Sequence, residues 1–314
     1  MTDVCLLLEG TYPYVAGGVS SWVHDLIRSL DDVTFSIIYL GAHRPGTKKM
    51  HYKLPHNVHD FQEYYLFDYR ILPKAQYHSK KENYKIIEDF IKAMKVHDTS
   101  FFPELFRVAG NRRTRKIDQS DFVHSFPAWE MLADIYASEL KETSFIDYFW
   151  SWRFIYLPFF TLLGVPLSPA RVYHTISTGY AGLLGCLCKM QFNRPLLLTE
   201  HGIYTRERKL EIVQADWIYS DRTTDVKVIE EEEFFRKWWN DLFSFYSRLT
   251  YQYSDEIITL YEGNRQVQIQ EGADIKKTRI IPNGIDLDLF VGLSKKQDRK
   301  TLRVGFMGRV VPIK

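Results

Sequence analysis

The strongest constraint on the fold is an alternation of short apolar runs with amphipathic segments, which begins at the N-terminus. Residues Val4–Leu8 form a continuous apolar run of strand length, which is typical of a strand covered on both faces. The segment Val19–Leu30 repeats apolar residues at helical spacing on one face, and Val33–Leu40 is a second strand-like run. A strand, a helix and a strand with short connections predict a parallel sheet with a right-handed crossover.

The same alternation returns in the second half of the chain. Strand-like runs occur at Val172–Ile176, Pro195–Thr199, Glu256–Tyr261 and near Ile280, and helical patterns occur at Gly179–Met190, about Glu230–Tyr253 and Glu262–Gly272. Strand and helix in turn predict an α/β fold with a Rossmann-like, doubly wound parallel sheet. The acidic run Glu230–Glu233 lies where we expect the first turn of a helix, so we assign it to stabilising the helix dipole.

Residues from about 62 to 170 interrupt this alternation. They contain aromatic-rich helical pieces and basic turns such as Asn111–Lys116. We interpret them as an insertion packed on the edge of the sheet. The expected domain organisation is therefore one N-terminal domain over residues 1–298, which includes the insertion, and the start of a second domain at 299–314.

Composition excludes several classes of protein. The chain has 314 residues, of which 45% are hydrophobic and 15% aromatic, enough for a substantial core. Its 41 basic and 39 acidic residues leave a net charge of +2, so no global field attracts nucleic acid. The three cysteines include no C-x-x-C pair and have no histidine at ligand spacing. This pattern argues against a disulfide framework and a zinc site, and it fits a reducing compartment.

The sequence also bears on location. No basic segment precedes the apolar run at Val4–Leu8, so we expect no signal peptide. The longest apolar stretch, Phe154–Leu167, has 14 residues with two prolines and is too short to span a bilayer. We expect it to be buried, and the alternative is a docking patch for a membrane-bound partner. The expected location is the cytoplasm, with contact to the inner membrane only through partners.

The first candidate site is the loop after the first strand, which brings Gly17 and Gly18 to the start of the first helix. Ligands of open α/β sheets bind at the carboxyl edge, where paired glycines let backbone N–H groups approach an anion. The loop is therefore a candidate phosphate site, and the alternative is a tight turn without a ligand. The dinucleotide fingerprint G-x-G-x-x-G is absent, which argues against a nicotinamide enzyme.

The second candidate site is the segment Thr199–Arg208, directly after another strand. It contains a Glu200-His201 pair, then Gly202, Tyr204, Arg206 and Arg208. Ionisable side chains on a loop at the carboxyl edge are typical of a ligand site. In the alternative interpretation, Glu200 and the arginines form surface ion pairs and His201 has a structural role.

Two further motifs lie near the end of the chain. Pro282–Asp286 has the composition of a turn, in which Asp286 could cap the next segment. In Leu302–Lys314, an apolar strand pattern runs into Arg309 and then Lys314. Two cations beyond the carboxyl end of a strand suit a diphosphate.

Taken in order, these motifs resemble a known family. The G-G-V loop, the E-H-G loop, the P-N-G-I-D turn and the G-R-V-V-P-I-K segment are similar to the retaining glycosyltransferases of family 4. Within that family, the segments VCLLLEGTYPYVAGGVSSWVHDLI, VYHTISTGYAGLLG and TEHGIYTRER most resemble the PelF-like enzymes of Pel exopolysaccharide synthesis. Each motif alone is common, but the ordered series is specific and covers essentially the whole chain.

The resemblance implies a GT-B fold, in which two Rossmann-like domains face each other and the first one contacts the acceptor. It implies that Gly17 and Gly18 meet the donor diphosphate, and that Arg309 and Lys314 hold its phosphates. It also implies that His201 lies beside the reacting sugar. We assign four further residues to the acceptor site or the lining of the cleft: Thr178, Glu200, Tyr204 and Arg206.

The implied reaction transfers a hexose, with UDP-glucose as the preferred donor, to a growing exopolysaccharide with retention of configuration. We expect no cofactor and no metal, because no acidic pair at metal-ligand spacing follows a strand. Partners would be the UDP-sugar, a polysaccharide acceptor and an inner-membrane synthesis complex. The family's glutamate pair at spacing eight would lie beyond Lys314, so we expect residues 1–314 to fold but not to turn over alone. Two alternatives are a GT-B nucleotide-sugar epimerase and a non-catalytic assembly subunit.

Overall fold

The computed structural model describes residues 1–44, 49–68, 80–139, 144–213, 226–285, 287–292 and 305. Its centre is a seven-stranded sheet with the order β3-β2-β1-β4-β5-β6-β7. The strands are β1 (Thr2–Glu9), β2 (Phe35–Gly41), β3 (Val58–Tyr65), β4 (Ala170–Thr175), β5 (Leu196–Glu200), β6 (Glu256–Thr259) and β7 (Thr278–Ile280). Every neighbouring pair is parallel. The predicted α/β class with a Rossmann-like, doubly wound parallel sheet is confirmed.

Helices cover both faces of the sheet. They are α1 (Gly18–Ser29), α2 (Lys81–Lys95), α3 (Phe102–Leu105), α4 (Gln119–His124), α5 (Phe126–Glu139), α6 (Phe145–Leu163), α7 (Tyr180–Phe192), α8 (Tyr204–Val213), α9 (Val226–Tyr253) and α10 (Glu262–Gln270). In β1, Leu6 and Leu8 share a core with Val23 and Ile27 of α1. The alternate residue Leu7 belongs to a second core on the opposite face, which explains the unbroken apolar run of the strand.

The strand order reverses between β1 and β4, which lie side by side in the middle of the sheet. At such a switch point, the loops leaving the two strands diverge and open a crevice at the carboxyl edge. The loops that follow β1, β4 and β5 therefore leave adjacent strands at the same edge of the sheet. These loops and the residues bordering them contain Gly17-Gly18, Ser177-Thr178-Gly179 and Glu200-His201.

The edge strand β3 was not indicated by the sequence pattern. Its residues, VHDFQEYY, are mostly polar or amphipathic, and most of its side chains are only partly buried. An edge strand pairs on one side alone, so it does not need the apolar composition of a central strand. Its backbone pairs in parallel with β2 from Phe35 to Gly41.

The aromatic-rich helices α2–α6 pack on one face of the sheet, not only on its edge. Their buried side chains form one continuous core with Cys5 and Leu7 of β1. Phe122 and Phe160 stack with ring centroids 3.9 Å apart, and Tyr148 stacks on Trp238 of α9 at 5.3 Å. No helix among the described residues is both long enough and apolar enough to cross a bilayer.

The position of α9 corrects one prediction. The helix begins at Val226, so Glu230–Glu233 follow its first turn and that turn contains no acidic residue. The helix dipole acts chiefly within the terminal turn. The assignment of these glutamates to dipole stabilisation was therefore wrong.

We expect the contact between α7 and α9 to tolerate only glycine at position 182. A Cβ atom there would lie 2.8 Å from the carbonyl oxygen of Ser177 and would also collide with Thr250. Gly182→Ala should lower the free energy of unfolding by about 1–3 kcal/mol, since it overpacks a close contact. Urea unfolding measures this, with Gly284→Ala as the control because its Cβ would meet nothing within 4 Å. Equal stability of the two variants would contradict the described packing.

Candidate active site

The first helix begins with an open N-terminus at the carboxyl edge of the sheet. Gly17 precedes α1 in an extended conformation, and no side chain among the described residues caps the helix. Gly18 is exposed, and nothing lies within 4 Å of the position of a Cβ atom on it. The N–H groups of a first helical turn lack intrahelical acceptors. This end of α1 therefore has the donors and the space to accept an anion.

His201 follows β5 and packs against α1. Its ring lies edge-on to Trp22 with centroids 4.7 Å apart, and Trp22 is one helical turn beyond Gly18. Asn264 of α10 donates a hydrogen bond to the His201 carbonyl oxygen at 3.3 Å. The buried Nε2 atom of His201 has no hydrogen-bond partner within the described part of the chain. Burial lowers the pKa of His201, so the ring is neutral near pH 7.

A second imidazole, which the sequence analysis did not single out, lies next to the same tryptophan. His174 of β4 is buried, and its Nε2 atom lies 2.8 Å from Oγ1 of Thr199. Its ring is edge-on to Trp22 at 6.1 Å. Burial, together with the neighbouring His201, lowers the pKa of His174 to about 4. The two imidazoles around Trp22 are therefore uncharged at neutral pH.

Glu200 points to the opposite face from His201 and is only 1% exposed. Its Oε1 atom accepts from the Tyr204 backbone N–H at 3.0 Å and from Thr178 Oγ1 at 3.4 Å. Its Oε2 atom accepts from Tyr251 Oη and from Gln268 Nε2, each at 2.9 Å. Burial raises the pKa of Glu200 to about 7. The residue joins buried elements and does not line an open cleft.

The other residues assigned to the cleft differ in their exposure. Thr178 is fully buried and hydrogen-bonds Ser247 at 2.7 Å. Arg206 is exposed on α8. Tyr204 is nearly buried, and its ring lies so close to Gly179 that a Cβ there would be 2.7 Å from Cε2. Of these side chains, Tyr204 lines a cavity, which is described next.

A cavity of about 610 Å³ opens on the face that carries α6–α9, at the carboxyl ends of β1, β2 and β3. Its volume lies within the range of ~300–1,000 Å³ that is usual for small-molecule sites. Aromatic rings form much of the wall, and the polar lining includes Glu9, Tyr204, Arg208 and Glu211. The candidate site at this edge therefore extends beyond the two loops that the sequence indicated.

Glu9 is the cavity residue that sequence reasoning missed. Its Oε1 atom accepts a hydrogen bond from Tyr204 Oη at 2.9 Å. Its Oε2 atom accepts from the Ala181 backbone N–H at 3.2 Å and from Ser177 Oγ at 3.3 Å. A carboxylate as the last residue of a buried strand was the available signal, because that position lies at the ligand-binding edge.

Three predicted residues fall outside the described part of the chain: Asp286, Arg309 and Lys314. The assignment of Arg309 and Lys314 to the phosphates stays a prediction. Within the described residues, no group of three or more His, Cys, Asp or Glu side chains is placed to hold a metal ion.

The fold is that of a Rossmann-like α/β domain, and the candidate site residues lie at the carboxyl edge of its sheet. Residues 2–276 match the family described as DUF3492, a domain of unknown function, and the chain belongs to this family. No curated protein matches the chain.

Two solved structures are similar to the chain at low identity. The first is sucrose-phosphate synthase from Thermosynechococcus elongatus, with 14% identity and a TM-score of 0.35 over 91% of this chain and 49% of that one. The second is a complex between a UDP-glucosyltransferase from Polygonum tinctorium capable of glucosylating indoxyl and 3,4-dichloroaniline, with 12% identity and a TM-score of 0.34 over 95% and 56%. The chain spans about half the length of each. At these TM-scores, neither similarity carries an inference about function.

The buried carboxyl of Glu200 should make stability depend on pH. Its pKa is raised from 4.5 to about 7 on folding, so its stabilising contribution is present below about pH 4.5 and is lost as pH rises through 7. Between pH 5 and 8, the wild type should lose about 2 kcal/mol of unfolding free energy relative to Glu200→Gln. Urea unfolding at both values measures the difference. Glu82→Gln, at an exposed site on α2, should follow the wild type, and the same behaviour in Glu200→Gln would contradict the expectation.

Proposed function

We propose that the chain forms the acceptor-side half of a GT-B glycosyltransferase, which transfers a hexose from a UDP-sugar with retention of configuration. One observation carries the proposal. Trp22, one helical turn beyond the open start of α1, lies edge-on to the His201 ring at 4.7 Å, near the switch point of the sheet. An anion site and a neutral imidazole side by side suit a substrate in which a diphosphate is bonded to a sugar.

The N-terminus of α1 could stabilise the leaving group of this reaction. Breaking the anomeric C–O bond leaves negative charge on the UDP diphosphate. Backbone N–H groups at the positive end of α1 would stabilise that charge as it develops. In this proposal a second domain holds most of the nucleotide, and Arg309 and Lys314 contact the phosphates.

The imidazole suits the sugar. A neutral ring has one nitrogen that donates and one that accepts, so His201 can pair with a sugar hydroxyl next to the reacting carbon. Its Nε2 atom has no hydrogen-bond partner among the described residues. Retention without an enzymic nucleophile would proceed by attack on the face from which UDP departs. His201 would then position the donor sugar, without forming a covalent bond.

The carboxylates argue against the epimerase alternative. Proton transfer at carbon needs a carboxylate that reaches the substrate. Glu200 is enclosed by four hydrogen-bond donors on the face opposite His201, and Glu9 lies in the wall of the cavity, on the side of the sheet edge away from His201. The motif resemblance adds three parts to the proposal: UDP-glucose as the donor, an exopolysaccharide as the acceptor and an inner-membrane partner complex.

The test uses the full-length protein with UDP-glucose and other UDP-hexoses, and it follows UDP release and the anomeric configuration of the product by NMR. We expect turnover with retention. His201→Ala should lower kcat by roughly 100-fold or more, as for loss of a positioned polar group beside the reacting atoms.

The control is His56→Ala, because His56 is an exposed histidine paired with Asp31 on the surface. It should retain wild-type turnover. No turnover of any UDP-hexose by the wild type, or equal rates in the two variants, would contradict the proposal.

A further inference from the structure

The cavity beside α8 has walls that are fixed by ring-to-ring contacts. Tyr180 lies edge-on to Phe67 at 6.3 Å and to Phe243 at 6.0 Å. Phe243 in turn lies edge-on to Tyr204 at 5.7 Å. These rings come from α7, α8, α9 and the residues after β3, so separate elements fix one another. The cavity is therefore preformed and offers aromatic surface to an occupant.

Arg208 supplies N–H donors on the wall of the cavity. Its terminal nitrogens pair with both carboxylate oxygens of Glu211 at 2.7 and 2.6 Å, and its guanidinium lies 5.2 Å from the centre of the Tyr204 ring. These contacts hold the side chain in place. Each of the two terminal nitrogens carries a second N–H beyond the one directed at Glu211. The Arg208 side chain is 31% exposed and lines the cavity, so these N–H groups favour an occupant with an oxygen acceptor.

Glu9 supplies acceptors on the wall of the same cavity. Its Oε2 atom already receives two hydrogen bonds, from Ala181 and Ser177, whereas Oε1 receives one from Tyr204. A carboxylate oxygen can accept two hydrogen bonds. The Oε1 atom can therefore accept a further one from an O–H group of an occupant.

We propose that this cavity is a saccharide-binding pocket in which Arg208 and Glu9 contact sugar hydroxyls and the aromatic rings pack on the faces of the sugar. A hydroxyl both donates and accepts, so it satisfies the Arg208 N–H and the Glu9 oxygen together. An anionic ligand such as a diphosphate would be repelled by two carboxylates, Glu9 and Glu211, and attracted by one guanidinium, so the pocket disfavours it. A purely apolar ligand would leave the terminal N–H groups of Arg208 and the Glu9 oxygen without a partner from the ligand.

The pocket is linked to the candidate active site through α8. Tyr204 is the first residue of that helix, three residues after His201, and it forms part of the pocket wall. A saccharide in the pocket therefore lies against the loop that carries His201. Identifying this saccharide as the end of the acceptor glycan rests on the proposed function, whereas saccharide binding itself rests on the pocket.

Direct binding tests the pocket without a donor. Saturation-transfer NMR with the full-length protein would use maltotriose, cellotriose and tri-N-acetylchitotriose as probes, in the absence of any UDP-sugar. We expect at least one probe to bind, and Arg208→Met to weaken its affinity by about tenfold, as for loss of a hydrogen bond to a charged group. Arg107→Met is the matched control, because Arg107 also pairs with a glutamate three residues away and lies outside the pocket.

A second variant keeps the test decisive if Arg208→Met does not fold. Ala42 lines the mouth of the pocket and is exposed, so Ala42→Trp should fold and should abolish binding by blocking entry. If no probe binds the wild type, if the two arginine variants bind alike, or if Ala42→Trp binds normally, the pocket assignment is overturned.

UDP release by the same proteins after UDP-hexoses are added separates the two proposals. Probe binding without turnover of any UDP-hexose would contradict the proposed function and support the pocket. Turnover with an unchanged KM for the saccharide in Arg208→Met and Ala42→Trp would support the proposed function and contradict the pocket.

Discussion

The buried carboxyl of Glu200 is the contact through which the carboxyl edge of this sheet is assembled. It ends β5 and collects hydrogen bonds from the loop before α7, from the first turn of α8, from α9 and from α10. A buried carboxyl is costly unless its oxygens are satisfied. The requirement for those donors fixes the position of each of these elements. His201, the next residue, consequently leaves the strand in one defined direction.

Tyr204 connects the buried carboxyl of Glu200 to the cavity. Its backbone N–H donates to Glu200, and its hydroxyl donates to Glu9, so one residue bridges the carboxyl ends of β5 and β1. Burial and the Glu9 carboxylate keep the pKa of Tyr204 well above its ordinary value, and the phenol is a donor at any physiological pH. The α1 side of the edge thus carries His201 and Trp22, and the other side carries the cavity. This separation suits a reaction with two substrates.

The sequence indicated the central strands correctly because strands buried on both faces are continuous apolar runs. It did not indicate β3, where one edge is unpaired and polar side chains are tolerated. It also placed Thr199–Arg208 on a loop, although helix α8 begins at Tyr204. Few of the described α8 side chains are buried, chiefly Tyr204, Thr205 and Ile212, so the helix has little apolar periodicity. The Glu200-His201 pair was recognised as a motif. That the two side chains point to opposite faces of the sheet becomes clear only from the pairing of β5 with its neighbouring strands.

The central claim is that the start of α1 and His201 form one anion and sugar site. It is tested most directly by a crystal structure of the full-length protein with UDP bound. The account predicts diphosphate oxygens within about 3 Å of a backbone nitrogen in the first turn of α1, on the side of the sheet that carries His201. UDP bound in the Arg208 cavity, or anywhere away from Gly18 and His201, would contradict it.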